Sequence, residues 1–166
     1  MGVRRDGPFP RVALPDLDDV LRPVEETWAD GLALVLIGHR NCKTTRQTIP
    51  FVDRIYRRRA AGHSALVILE DDVATARTLI ADQGLAVPIW LEPDPYPLAA
   101  ELQLVAVPTL FLIDRAGAIV KVTEAFNRAD LEEYAARLGN QEPLFTPEDK
   151  APATRPGCIP KEPAAR

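Results

Sequence analysis

Apolar residues fall along this chain in short unbroken runs, separated by stretches of helical spacing. Leu32–Ile37 is continuously apolar and reads as a central strand buried on both faces. Ser64–Glu70 (SALVILE) repeats the pattern, and Val87–Leu91 is a shorter third strand. Pro108–Asp114 (PTLFLID) and Ala118–Glu124 (AIVKVTE) are joined by a turn at Arg115–Gly117 and read as a hairpin. Between the strands, Lys43–Arg59 sets Ile49, Val52 and Tyr56 on one face and Arg54, Arg57 and Arg58 on the other. That is an amphipathic helix with a solvated basic side, and Pro50 inside it predicts a bend. Asp71–Gly84 is a second helix with Asp72 as its cap, Leu98–Leu104 a short third, and Asn127–Leu138 the closing one, stopped by Gly139. Ahead of the first strand, DLDDVLRPVEETWADG spaces Leu17, Val20, Leu21, Val24 and Trp28 as a helix would. It predicts a helix begun at Asp16, divided at Pro23 and ended by Gly31.

Strands alternate with helices until the final hairpin. The fold class is therefore α/β, a mixed central sheet with helices on both faces. Residues 1–15, with Pro8, Pro10 and Pro15, read as a loose N-terminal lead-in. Residues 16–139 form the domain, with Trp28 and Trp90 as core aromatics, and residues 140–166 an extended, mobile, proline-rich tail.

Composition changes this picture little. The apolar share of 46% and charged share of 27% are ordinary for a globular domain. A net charge of −4 argues against a general nucleic-acid partner. No apolar run is long enough to span a membrane, and the first residues lack the apolar centre of a secretory signal, so a cytoplasmic location is expected. The only cysteines, Cys42 and Cys158, make no disulfide framework, in keeping with a reducing compartment. No Cys/His spacing suggests a metal site.

The chemistry concentrates at Cys42, where the first strand hands over to the long helix. A sulfur there faces unpaired backbone N–H groups and the positive end of the helix dipole, and both favour thiolate. His39, Arg40, Lys43 and Arg46 flank it, with no acid between Leu32 and Pro50. A free cysteine is most often a small buried hydrophobe, but the loop HRNCKTT is polar, so an accessible, activated nucleophile is expected. His39 reads as a loop surface residue.

A cysteine loop at a helix start, a βα segment, then Val107-Pro108-Thr109 opening a hairpin: over residues 17–138 this order resembles the thioredoxin superfamily. It is most similar to the TlpA-like and alkyl-hydroperoxide-reductase-like thiol–disulfide oxidoreductases. The resemblance rests on Cys42 with Pro50 eight residues on, on the inserted αβ segment DDVATARTLIADQGLAVPIWLEPD, and on AELQLVAVPTLFLIDRAGAIVKVTEAF. It implies a thioredoxin-like fold, a cis-proline at Pro108 lying against Cys42, and a substrate edge shaped by Asn41, Val107, Pro108 and Thr109. The Val107 backbone is expected to pair with an extended peptide or with glutathione.

The motif departs from the family's Cys-x-x-Cys. Cys42-Lys43-Thr44-Thr45 has Thr45 in the second position, Asn41 replaces the usual tryptophan, and the first strand lacks the buried acid found in many thioredoxins. The resemblance therefore implies a monothiol Cys-x-x-Thr redox protein. Cys42 would attack protein or small-molecule disulfides or oxidants, giving a mixed disulfide or a sulfenate, with protein thiols or glutathione as partners and Thr45 as a hydrogen-bond partner to the sulfur. No metal or organic cofactor is implied. Release would need a second thiol, and Cys158 is a candidate resolving cysteine, although a tail residue without a role is the simpler reading. The alternative function is a non-catalytic thioredoxin-fold module that binds a protein in the same groove.

Overall fold

The computed structural model describes residues 2–164. In chain order its elements are β1 (Ala13–Pro15), β2 (Leu21–Pro23), a 3-10 turn (Val24–Trp28), β3 (Ala33–Gly38), α1 (Lys43–Arg57), β4 (Ser64–Leu69), α2 (Val73–Gln83), β5 (Ile89–Leu91), α3 (Pro97–Leu102), β6 (Thr109–Ile113), β7 (Ile119–Glu124), β8 (Phe126–Asn127), α4 (Arg128–Arg137), a 3-10 turn (Pro147–Asp149) and β9 (Thr154–Arg155).

Five strands form the central sheet, in the order β5-β4-β3-β6-β7. β3 runs parallel to β4 and antiparallel to β6, so the sheet is mixed. Alternation along β3 splits the core in two. Leu34 and Leu36 face α1, α2 and α4, packing with Ile49, Val52, Ile55, Leu79 and Tyr134. Val35 and Ile37 face the other way, with Phe9, Trp28, Leu98, Leu102 and Phe111. Both sides of β3 are thus covered, which is why its sequence carries no polar position.

Local chemistry explains the helix ends. Asp72 caps α2 by accepting from the Thr75 amide at 2.8 Å, and Gly84 ends it in the left-handed conformation. Asn127 caps α4 through the Asp130 amide at 2.9 Å. Pro50 has no N–H to give the Arg46 carbonyl one turn back. That carbonyl oxygen accepts instead from the Gln83 side chain at 2.9 Å, which ties α1 to α2.

Three expectations are corrected. The stretch after Asp16 is a short hairpin and a 3-10 turn, not a divided helix. Asp16 folds back on itself, accepting from the Asp18 and Val20 amides and from Arg22, so Val20 and Leu21 point into solvent. Residues 2–15 are not a loose lead-in. Val3, Phe9 and Leu14 are buried, and the Phe9 ring meets Trp28 and Phe111 edge-on at 5.6 and 5.4 Å.

The third correction concerns residues 140–164, which are bound along their length. Arg54, expected on a solvated face, takes the Leu144 carbonyl and both carboxylate oxygens of Asp149, at 2.9 and 3.1 Å for the pair. This bidentate contact holds Asp149 well below the usual carboxylate range, at about 2. β9 then pairs antiparallel with β8, and the Arg128 amide donates to the Ala153 carbonyl. The tail lacks helical or strand periodicity because its partners are elements distant in sequence.

Candidate active site at the start of helix α1

Cys42 is the residue before α1. It has extended backbone angles (φ −85°, ψ 117°), and its carbonyl receives the first helical hydrogen bond, from Arg46. Its sulfur stands at the N-terminal end of a fifteen-residue helix with no acid in the first turn. The Val107–Pro108 peptide bond is cis, and the Cys42 sulfur lies 3.5 Å from the Val107 carbonyl oxygen. The helix start and the Pro108 turn are therefore assembled as one site.

The tail completes it. Cys42 is joined to Cys158 by a disulfide, with the two Cα atoms 5.8 Å apart. The Cys158 amide donates to the Val107 carbonyl oxygen, and the Val107 amide to the Cys158 carbonyl, each at 2.9 Å. This is one antiparallel bridge between the tail and the residue before the cis-proline. Thr44 donates its hydroxyl to the Pro156 carbonyl at 2.6 Å, and His39 Nε2 donates to the Ile159 carbonyl at 3.0 Å. Further on, the Lys161 amide donates to Glu70 at 3.1 Å and its ammonium pairs with Asp71 at 3.0 Å.

Cys42 is thus not the exposed thiol expected from the loop's polarity. It is fully buried because the tail lies over it. Cys158 is fixed in the site, not mobile. His39 is buried beneath the tail, with its second ring nitrogen unpartnered. Thr45 does not hydrogen-bond the sulfur. Its hydroxyl is fully buried without a partner, and its side chain packs on Gly38, where an added Cβ would lie 2.8 Å from the Thr45 hydroxyl oxygen. Of the residues expected to shape the edge, Val107 supplies both backbone bonds and Pro108 is buried against the site. Thr109 donates its hydroxyl to the Ala106 carbonyl at 2.7 Å and so braces the turn. Asn41 stands exposed directly before Cys42.

From the sequence, Asp71 and Glu92 read simply as caps and turn formers, and Glu70 carries no signal of its own. None lies near Cys42 in the chain, yet the ends of β4 and β5 bring Glu70, Asp71 and Glu92 into one cleft with Lys161 of the tail. Asp71 accepts from the Arg40 amide at 2.8 Å. Glu92 is buried and accepts from the Leu98 and Ala99 amides at the head of α3. Glu70 is buried with one oxygen unpartnered. Burial pushes its pKa up to about 7, against the lowering pull of the Lys161 amide. Gly157 was also overlooked. A Cβ there would overlap the Val107 carbonyl oxygen and crowd Ala125, so the Pro-Gly before Cys158, legible only as a turn signal, is a close-approach requirement.

A five-stranded mixed sheet with the cysteine before α1 and a cis-proline before β6 decides the architecture. The chain has the thioredoxin fold. No protein-family model and no curated protein sequence matches it. Among solved structures it is similar to one from Chlorobium tepidum described as a thiol:disulfide interchange protein DsbE, with TM-score 0.70, 19% identity, and 82% of this chain and 96% of that chain covered. It is also similar to peroxidoxin BcpB from Mycobacterium tuberculosis, with TM-score 0.65, 16% identity, and 84% and 99% covered. An uncharacterized conserved protein from Geobacillus kaustophilus aligns over 98% of this chain and 95% of its own, with TM-score 0.67 and 17% identity. At these identities the likeness concerns the fold.

Proposed function

We propose that the protein performs thiol–disulfide redox chemistry in which Cys42 is the nucleophile and Cys158 the resolving thiol. The observation that carries this reading is the Cys42–Cys158 bridge at the Pro108 turn. In the first step the Cys42 thiolate attacks one sulfur of a substrate disulfide R–S–S–R′. A Cys42–S–S–R bond forms and R′–S⁻ leaves. The Cys158 thiolate then attacks the Cys42 sulfur, expels R–S⁻ and closes the internal bridge. The substrate gains two electrons and the protein loses two. With a peroxide, Cys42 would become a sulfenic acid as the alcohol leaves, and Cys158 would close the same bridge with loss of water. Chemistry thus begins on one motif cysteine and finishes on two, which answers how a Cys-x-x-Thr motif releases its product.

Three features support Cys42 as attacker and leaving group. The helix N-terminus favours its thiolate, Lys43 lies in the first turn, and the buried Thr45 leaves no competing thiol in the motif. Cys158 is the half-buried end of the bridge, so an external thiolate such as glutathione or a protein dithiol meets it first and releases Cys42. In the cytoplasm the bridge would be a transient state of the cycle.

The test is trapping. The reduced Cys158→Ser protein, challenged with a disulfide substrate, should accumulate the Cys42 mixed disulfide, whereas the wild type should pass to the internal bridge, as read by intact mass and peptide mapping. No adduct on Cys42 in either protein overturns the proposal. The second reading is a binding module whose groove is permanently filled by its own tail, favoured by the full burial of Cys42. It requires the bridge to resist millimolar dithiol in the folded state.

A further inference from the structure

Residues 156–159 are held almost entirely through backbone atoms. Thr44 takes the Pro156 carbonyl, Val107 exchanges both bonds with Cys158, and His39 takes the Ile159 carbonyl. Side-chain demands fall on Cys158, which carries the disulfide, and on the position before it. The residue before the cysteine must be glycine, since a Cβ at Gly157 would overlap the Val107 carbonyl oxygen and approach Ala125 Cβ to 3.2 Å. The residue after it meets no such demand, since Ile159 is 75% exposed. The groove thus reads a backbone shape, a cysteine and a missing side chain.

We infer that the tail occupies the site as a tethered stand-in for a protein partner, and that the groove selects extended Gly-Cys peptides when such a partner enters in trans. The inference rests on the redox reading and names its substrate class. Strand addition supplies affinity without sequence preference, and the crowded position before the cysteine supplies selectivity. Tethering gives the tail a high local concentration, so a partner must compete with it. In the reaction with an activated partner, peptide–S–S–R, the Cys42 thiolate attacks the peptide sulfur. A Cys42–S–S–peptide bond forms and R–S⁻ departs with the electron pair.

The test uses the full-length Cys158→Ser protein, whose tail has no sulfur to compete. Two synthetic peptides, RPGCIPK and its Gly→Ala counterpart RPACIPK, are each activated as the mixed disulfide with thionitrobenzoate. Release of the coloured thiolate is followed at equal concentration. The glycine peptide should modify Cys42 about tenfold faster or more, given the usual cost of overpacking a crowded contact. In Gly157→Ala/Cys158→Ser, where the tail fits less well, the glycine peptide should react faster still. Equal rates for the two peptides overturn the inference. Glutathione disulfide separates the levels: if it modifies Cys42 while the peptides are not discriminated, only the selectivity fails. If Cys42 is inert to all three reagents, the redox reading fails too.

Discussion

Val107 and Cys158 are paired through both of their backbone hydrogen bonds, at 2.9 Å each, beside a disulfide that already joins the same stretch to Cys42. The tail is therefore anchored twice, by one covalent bond and by a ladder of polar contacts from Asp149 to Lys161. The two anchors are separable by experiment.

The covalent anchor closes a loop with a sequence separation of 116 residues. In the chain-entropy model a loop of about 100 residues contributes up to about 5 kcal/mol through the unfolded state. Reduction, or Cys158→Ser, should lower Tm by roughly 10–20 °C, at about 2–4 °C per kcal/mol for a chain of this size. Calorimetry with and without dithiol checks it. A shift within about 2 °C would mean that the bridge adds nothing to the ladder.

Thr45 carries a buried hydroxyl with no partner. Thr45→Val keeps the shape and removes the unsatisfied group, so it should stabilise the fold by about 1 kcal/mol. It should leave the pH profile of Cys42 alkylation in the reduced protein unchanged. Urea titration and iodoacetamide kinetics give the two readouts. An upward displacement of the Cys42 profile would restore Thr45 as the thiolate's hydrogen-bond partner.

Glu70 has a folded-state pKa raised to about 7 from 4.5, chiefly by burial. The folded state thus retains a proton that the unfolded state gives up. The stability linked to this proton is fully present below pH 4.5 and is lost as pH rises through about 7. Glu70→Gln should flatten the stability profile across that window. Urea unfolding of the oxidised wild type and variant at a series of pH values reads the difference. Parallel curves would show that Glu70 ionises as freely in the fold as in the unfolded chain.

Gly157→Ala adds a methyl group where the tail passes the Val107 carbonyl. The bridge should then form about tenfold less favourably in equilibrium with glutathione. Redox titration followed by acid quench and thiol labelling measures this. An unchanged equilibrium would mean that the tail backbone shifts to accept the side chain.

The five strands of the central sheet and the four helices between residues 33 and 138 were legible because their signals are local, whereas β8, which pairs only with the distant tail, was not. Unbroken apolar runs such as Ala33–Ile37 mark strands covered on both faces, and Asp72 and Asn127 mark helix starts by bonding amides three residues away. The cysteine before α1 and the Val-Pro-Thr that opens β6 were legible for the same reason. The stretch after Asp16 misled because Leu17, Val20 and Leu21 matched helical spacing, while the Asp16 side chain bonded nearby amides and bent the chain into a hairpin.

The sequence by itself thus determined the α/β order, the thioredoxin-like resemblance and the placement of Cys42 at a helix start. Only the tertiary structure decided that the motif cysteine has a mate, that His39 and Thr45 are buried, and that Glu70 and Asp71 hold Lys161 of the tail. The physical reason lies in the tail. A proline-rich segment has no periodicity of its own, and its conformation is set by donors and acceptors far off in the chain, such as Thr44 for Pro156 and Val107 with Cys42 for Cys158.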